Sequence, residues 1–265
     1  MSARVRVWIV VGLAALAAAG TVVGVTLATR SDVQRQSSKP PPFAADPTAR
    51  PEVAQQVREA LKAWPAGTAR RLRILAARYP HSALVQLELG LALALSGQQA
   101  DATRAWQAAE RVQPDSPSAV RAQDLRHPGS APGLPPFVPS FTQATNVVQA
   151  HLLRGSAYQQ VLRPVSAERE FLAAVQAAPN DPEALTAAAV GRYDKDRPAL
   201  AFSQLGPLSR RFPHAQTVRF HLGLLLIYFG DIARARRELA LARAQGPRTP
   251  LGKRAETLLK AGRNP

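Results

Sequence analysis

The residue types that perform catalysis are sparse in this chain and poorly placed. Cysteine is absent, which removes thiolate nucleophiles, thiolate metal ligands and disulfides. Five histidines remain. His81 and His214 each follow a proline, Pro80 and Pro213, where they sit at helix starts. His214 and His221 are seven residues apart and share a face if one helix carries both, but no carboxylate stands at a matching turn to complete a metal site. Paired catalytic acids, a nucleophile motif and a glycine-rich phosphate loop do not occur. The expectation is no catalytic residue, no metal and no cofactor, and an enzyme is the weakest class.

Charge is the other chemistry on offer. Lys and Arg number 34 against 18 Asp and Glu, a formal net charge of +16, and only five of the cations are lysine. Arg70, Arg71 and Arg73 cluster in one segment, and Arg234, Arg236 and Arg237 in another. Abundant Ala, Pro and Gly beside arginine fit a GC-rich coding bias, which raises arginine without functional demand. The alternative is a basic surface for an acidic partner, either lipid headgroups or an acidic surface polymer. Nucleic acid is disfavoured, because no recognition motif accompanies the charge.

Prolines mark the elements that position these side chains. Pro80 and Pro114 are 34 residues apart, as are Pro179, Pro213 and Pro247, with one break between the sets. The same step carries Gly90, Gly155, Ala189 and Gly223, and then Ala102, Ala167, Ala201 and Ala235. Four residues on come Trp106, Phe171, Leu205 and Leu239, followed by Ala109, Ala174, Leu208 and Ala242. Glycine inside a helix costs roughly 1 kcal/mol relative to alanine, so its recurrence needs a packing reason. The expected reason is a small residue on one helix facing the alanine column on the next, with the large residue filling the space between neighbouring helices. Proline ends the second helix of each pair. Turns fall at Ser96-Gly97, Arg163-Pro164, Arg197-Pro198 and Gly230-Asp231. Strand signals are scarce, so the expected fold class is all-α.

From 49 to 249 this lattice resembles the tetratricopeptide repeat (TPR), whose period is 34 residues. The resemblance implies a right-handed superhelical solenoid of about five helix–turn–helix repeats, at 49–82, 83–116, 148–181, 182–215 and 216–249. The first departs most, with Gln56 in the glycine column and Thr68 in the alanine column. A further echo fixes the register: Arg78-Tyr79-Pro80-His81 before Leu89-Gly90-Leu91 matches Arg211-Phe212-Pro213-His214 before Leu222-Gly223-Leu224. Residues 250–265 read as a capping helix and tail, with Leu251, Ala255, Leu258 and Leu259 on one face.

Ahead of the repeats, a basic tail at 1–6 precedes an uncharged stretch at 7–29 that is long enough for a transmembrane helix. A cleaved signal peptide is the rival, with Ala17-Ala18-Ala19 as its cleavage region. Arginines on both sides nearly balance, and a short basic tail before a large domain places the repeats outside the cytoplasmic membrane. Residues 30–48, with Pro40-Pro41-Pro42, read as a semi-rigid spacer. Residues 117–147 interrupt the lattice and are too few for a repeat. The run from His127 to Phe141 is too rich in proline and glycine for a helix, while Leu134, Phe137, Val138 and Phe141 are too apolar for a solvated linker. Two readings stand: a loop packed on the ends of the flanking repeats, or an internal ligand in the concave groove that a partner displaces.

The resemblance also implies a partner surface. In TPR domains the concave face is formed by recurring positions of each first helix. Carried over, these are Leu84, Leu87, Leu91 and Leu95, then Leu152, Ser156, Gln159 and Gln160, then Thr186 and Tyr193, then Phe220, Leu224 and Tyr228. The lining lacks the lysine, asparagine and arginine of carboxylate-clamping TPR domains, so the implied partner is an apolar or amphipathic protein segment. The expectation is a membrane-anchored, bacterial-type scaffold for protein–protein interaction in cell-envelope assembly. The alternatives are a factor similar to those of cytochrome c maturation, holding an apoprotein, and a basic structural protein of the envelope.

Overall fold

Proline and small polar residues start most of the helices. The structure, a computed structural model, describes residues 40–261, and all twelve regular elements among the described residues are α-helices. The chain divides after His127 into two compact units. The first holds α1 (Pro51–Leu61), α2 (Thr68–Arg78), α3 (Ala83–Leu95), α4 (Gln99–Val112) and α5 (Pro117–Arg126). The second holds α6 (Val147–Gln160), α7 (Pro164–Ala177), α8 (Pro182–Gly191), α9 (Ala199–Arg211), α10 (Gln216–Phe229), α11 (Ile232–Gln245) and α12 (Pro250–Ala261). Proline opens α1, α5, α7 and α8, where its missing N–H has no helical partner to lose. Ser82, Ser116, Asn146, Asp181 and Asp231 cap α3, α5, α6, α8 and α11, each accepting the N–H three residues on.

Within each unit, neighbouring helices pack in sequence order, as in a helical solenoid. A second set of contacts joins alternate helices: α1 to α3 and α3 to α5 in the first unit, α6 to α8 and α8 to α10 in the second. These alternate helices are the first members of successive pairs, and they build one continuous face per unit. The last helix, α12, buries Leu251 and Ala255 against the second unit's core and turns Lys253, Arg254 and Lys260 to solvent.

The glycine column meets first the large residue of the second helix, and at Gly223 also the backbone of the expected alanine, Ala235. A Cβ on Gly90 would lie 2.3 Å from the Trp106 indole, one on Gly155 would lie 2.3 Å from the Phe171 ring, and one on Gly223 would lie 2.7 Å from Leu239. The large residue of the second helix therefore fills the space that a Cβ on the first helix would need. The turns repeat as well: Gly97 (φ 77°) and Gly230 (φ 87°) hold the left-handed position after the first helix, and Leu162 (φ 56°) takes it in the second unit's first pair.

Residues 117–147 are also not all loop, because α5 occupies the first ten of them. The proposed membrane segment at 7–29 lies outside the described residues. No described helix is long and apolar enough to cross a membrane.

Candidate functional site

In the second unit, the proline-rich run lies on the face made by the first helices. Prolines 135, 136 and 139 have fixed φ and hold the residues before them extended. They also leave few backbone donors, and those that remain between 137 and 140 are all accepted by side chains. Phe137 N–H donates to Gln159 Oε1 on α6 at 2.7 Å, and Val138 N–H donates to His221 Nε2 on α10 at 2.9 Å. Ser140 donates from both its N–H (2.6 Å) and its hydroxyl (2.8 Å) to the two carboxylate oxygens of Glu183 on α8. Carbonyls are held too: Lys195 Nζ donates to Ala131 O at 2.6 Å, and Ser156 Oγ donates to Phe137 O at 3.2 Å. This strap touches all three first helices of its unit.

Phe137 anchors it. The ring is 1% exposed, meets Phe171 edge-on at 5.3 Å and stacks on His221 at 4.9 Å. Burying such a ring contributes about 2–3 kcal/mol. Leu134 and Val138 pack against the α10 cluster, and Phe141 packs against the cluster around Leu152 and Phe171. His221 is neutral in this arrangement: its Nδ1–H donates to Thr217 O at 2.7 Å while Nε2 accepts from Val138. Burial pushes its pKa down to about 4.

The first unit has a shorter strap of the same kind. Pro41 and Ala44 are buried, and Phe43 packs on the unit's core with the Arg58 guanidinium 4.9 Å from its ring centroid. Ala44 N–H donates to Glu88 Oε1 on α3 at 2.7 Å. Asp46 accepts from the N–H of Ser118 on α5 at 3.2 Å and from its hydroxyl. Within the expected semi-rigid spacer at 30–48, residues 43–46 are thus docked on the first unit, while 30–39 lie outside the described residues. Burial raises Glu88 to about 7, and its second oxygen, Oε2, has no hydrogen-bond partner.

The two straps share a word and an acceptor position. Pro41-Pro42-Phe43 and Pro135-Pro136-Phe137 are both Pro-Pro-Phe, and in both the amide after the phenylalanine is accepted by a buried side chain. Glu88 and His221 are those acceptors, each directly preceding Leu-Gly-Leu and each sixth in its 34-residue repeat.

The surface residues expected from sequence separate into groups. Leu152, Ser156 and Gln159 converge on Phe137. Tyr193, Phe220, Leu224 and Tyr228 are buried in the cluster that also takes in Ala131, with the Tyr193 and Tyr228 rings edge-on at 6.1 Å. Thr186 is buried and bonds its own helix at Pro182 O, whereas Gln160 is exposed. In the first unit Leu84, Leu87 and Leu91 are buried and Leu95 is half-buried. His214 and His221 do not pair, because His214 is exposed before α10 begins and His221 is fully buried within it. No metal-holding cluster occurs among the described residues. Glu88, His221 and Lys195 were missed as strap contacts. The repeated Pro-Pro-Phe word was the available signal.

A scan against protein-family models finds no match, and neither does a search of curated proteins.

Proposed function

We propose that this chain is a TPR-type scaffold, anchored to the cytoplasmic membrane through residues 7–29 with its helices on the outer side, that binds a protein segment during cell-envelope assembly. Binding takes place on the first-helix face of the second unit. One observation supports this above the others: Gln159, His221 and Glu183, on three different helices, accept every backbone N–H of residues 137–140. Side chains that bond a backbone suit an extended peptide, as in other grooves that read main chain for affinity and side-chain pockets for specificity. The uncharged 7–29 stretch supports the anchor.

The test is a photo-crosslinking residue placed in the full chain in its own cells. Gln160 is the exposed last residue of α6, next to the strap acceptor Gln159, while Arg236 is exposed on the second helix of its pair. The expected result is one protein adduct from position 160 and none from 236. Adducts from both positions that vanish in high salt would instead favour the basic-surface reading.

A further inference from the structure

Resting on the groove reading above, we propose that the strap at 131–141 is a built-in stand-in for the partner, and that the partner is a protein carrying an extended proline-rich segment with Pro-Pro-Phe at its centre. The structure contains the recognition chemistry twice. In each unit a Pro-Pro-Phe word lies against first helices, its phenylalanine packs within a core cluster (Phe137) or against one (Phe43), and the next amide reaches the sixth residue of a repeat. The helices around the two words differ in sequence, and so do the acceptors, a carboxyl and an imidazole. What recurs is the ligand: two prolines that enforce extension and remove donors, a ring, and one free N–H. In the second unit the reading continues past the ring, where Glu183 takes both the amide and the hydroxyl of Ser140. A segment with proline in place of Val138 would lose the His221 bond. One without the ring would leave Leu152, Phe171 and His221 facing a void.

The strap's attachments are also those of a replaceable piece. The polar contacts that hold residues 137–140 to α6, α8 and α10 come from side chains of those helices: Gln159, Ser156, Glu183 and His221. The probe is a synthetic peptide copying residues 133–142, added to the full chain. In wild-type protein, excess peptide is expected to accelerate hydrogen exchange in 133–141 and leave α6, α8 and α10 protected. In the Phe137→Ala chain, which keeps the groove but loses the anchor, the peptide is expected to bind at least tenfold more tightly than to wild type. The same peptide with alanine for its phenylalanine should bind neither. Absence of peptide binding to a Phe137→Ala chain that still melts cooperatively would overturn the proposal. If that variant does not fold, the wild-type exchange measurement decides, and a strap that exchanges only when the helices do would overturn it. A crosslinked partner from position 160 together with a silent peptide would leave the groove reading intact and sink this partner class alone.

Discussion

At the scale of residues, Glu88 and His221 do the same job with opposite titration behaviour. Burial is the main cause in both, set against the Ala44 bond and the Arg121 charge for Glu88, and against the Thr217 bond for His221, where the Arg254 charge adds to the lowering. The Glu88 carboxyl rises from 4.5 to about 7 on folding, so its stability contribution is complete below pH 4.5 and is lost as pH climbs through 7. Glu88→Gln keeps an oxygen for Ala44 and cannot ionise. The variant is expected to be more stable than wild type at pH 8 by about 2–3 kcal/mol and nearly equal at pH 4. Denaturant midpoints across that range check it, and an equal gap at both ends would refute it. His221 falls from 6.5 to about 4, so its contribution is present above pH 6.5 and lost as pH falls through 4. The sequence displayed both residues in one echo, ahead of Leu-Gly-Leu. It concealed their role because the donors they serve lie in runs without periodicity, where no pattern fixes what touches what.

At the scale of elements, the glycine column was legible and its reason only in part. A 34-residue lattice locates small residues, but the backbone had to be seen before Trp106, Phe171 and Leu239 emerged as what each glycine admits. Gly155→Ala gains helix propensity of roughly 1 kcal/mol but drives a methyl into the Phe171 ring, which is fully buried and held by Phe137. A net destabilisation of about 1–3 kcal/mol is expected. Adding Phe171→Leu should recover part of it, because Ala189 and Leu205 already occupy these two columns in the next repeat, both fully buried. Thermal denaturation of the single and double variants measures this. A single variant as stable as wild type would show that the ring yields. The α5 helix escaped the sequence reading because it follows the last lattice proline of its set and stands alone without a second helix. Its start signal, Ser116-Pro117, was present.

At the scale of the whole molecule, each unit closes its own core around its own strap. Residues 128–265 made alone are therefore expected to melt cooperatively, with slow amide exchange at Phe137, Val138 and Ser140. A broad, non-cooperative melt of this fragment would count against that expectation. The all-helical class was readable from helical spacing and from proline and glycine breaks, and the closing helix from its apolar face, since those signals act locally. Strap placement was not, because it depends on contacts as distant in sequence as Val138 and His221. The arginine clusters at 70–73 and 234–237 are exposed on second helices, whereas the straps contact first helices. The covalent link between strap and helices has a further effect. Phe137 is ten residues from the start of α6, and a short tether of that kind holds its end at an effective concentration on the order of millimolar. If a partner displaces the strap as proposed, it meets this competitor at a level set by chain length and independent of how much protein the cell makes. Weak clients would then be filtered out by a threshold that expression cannot move.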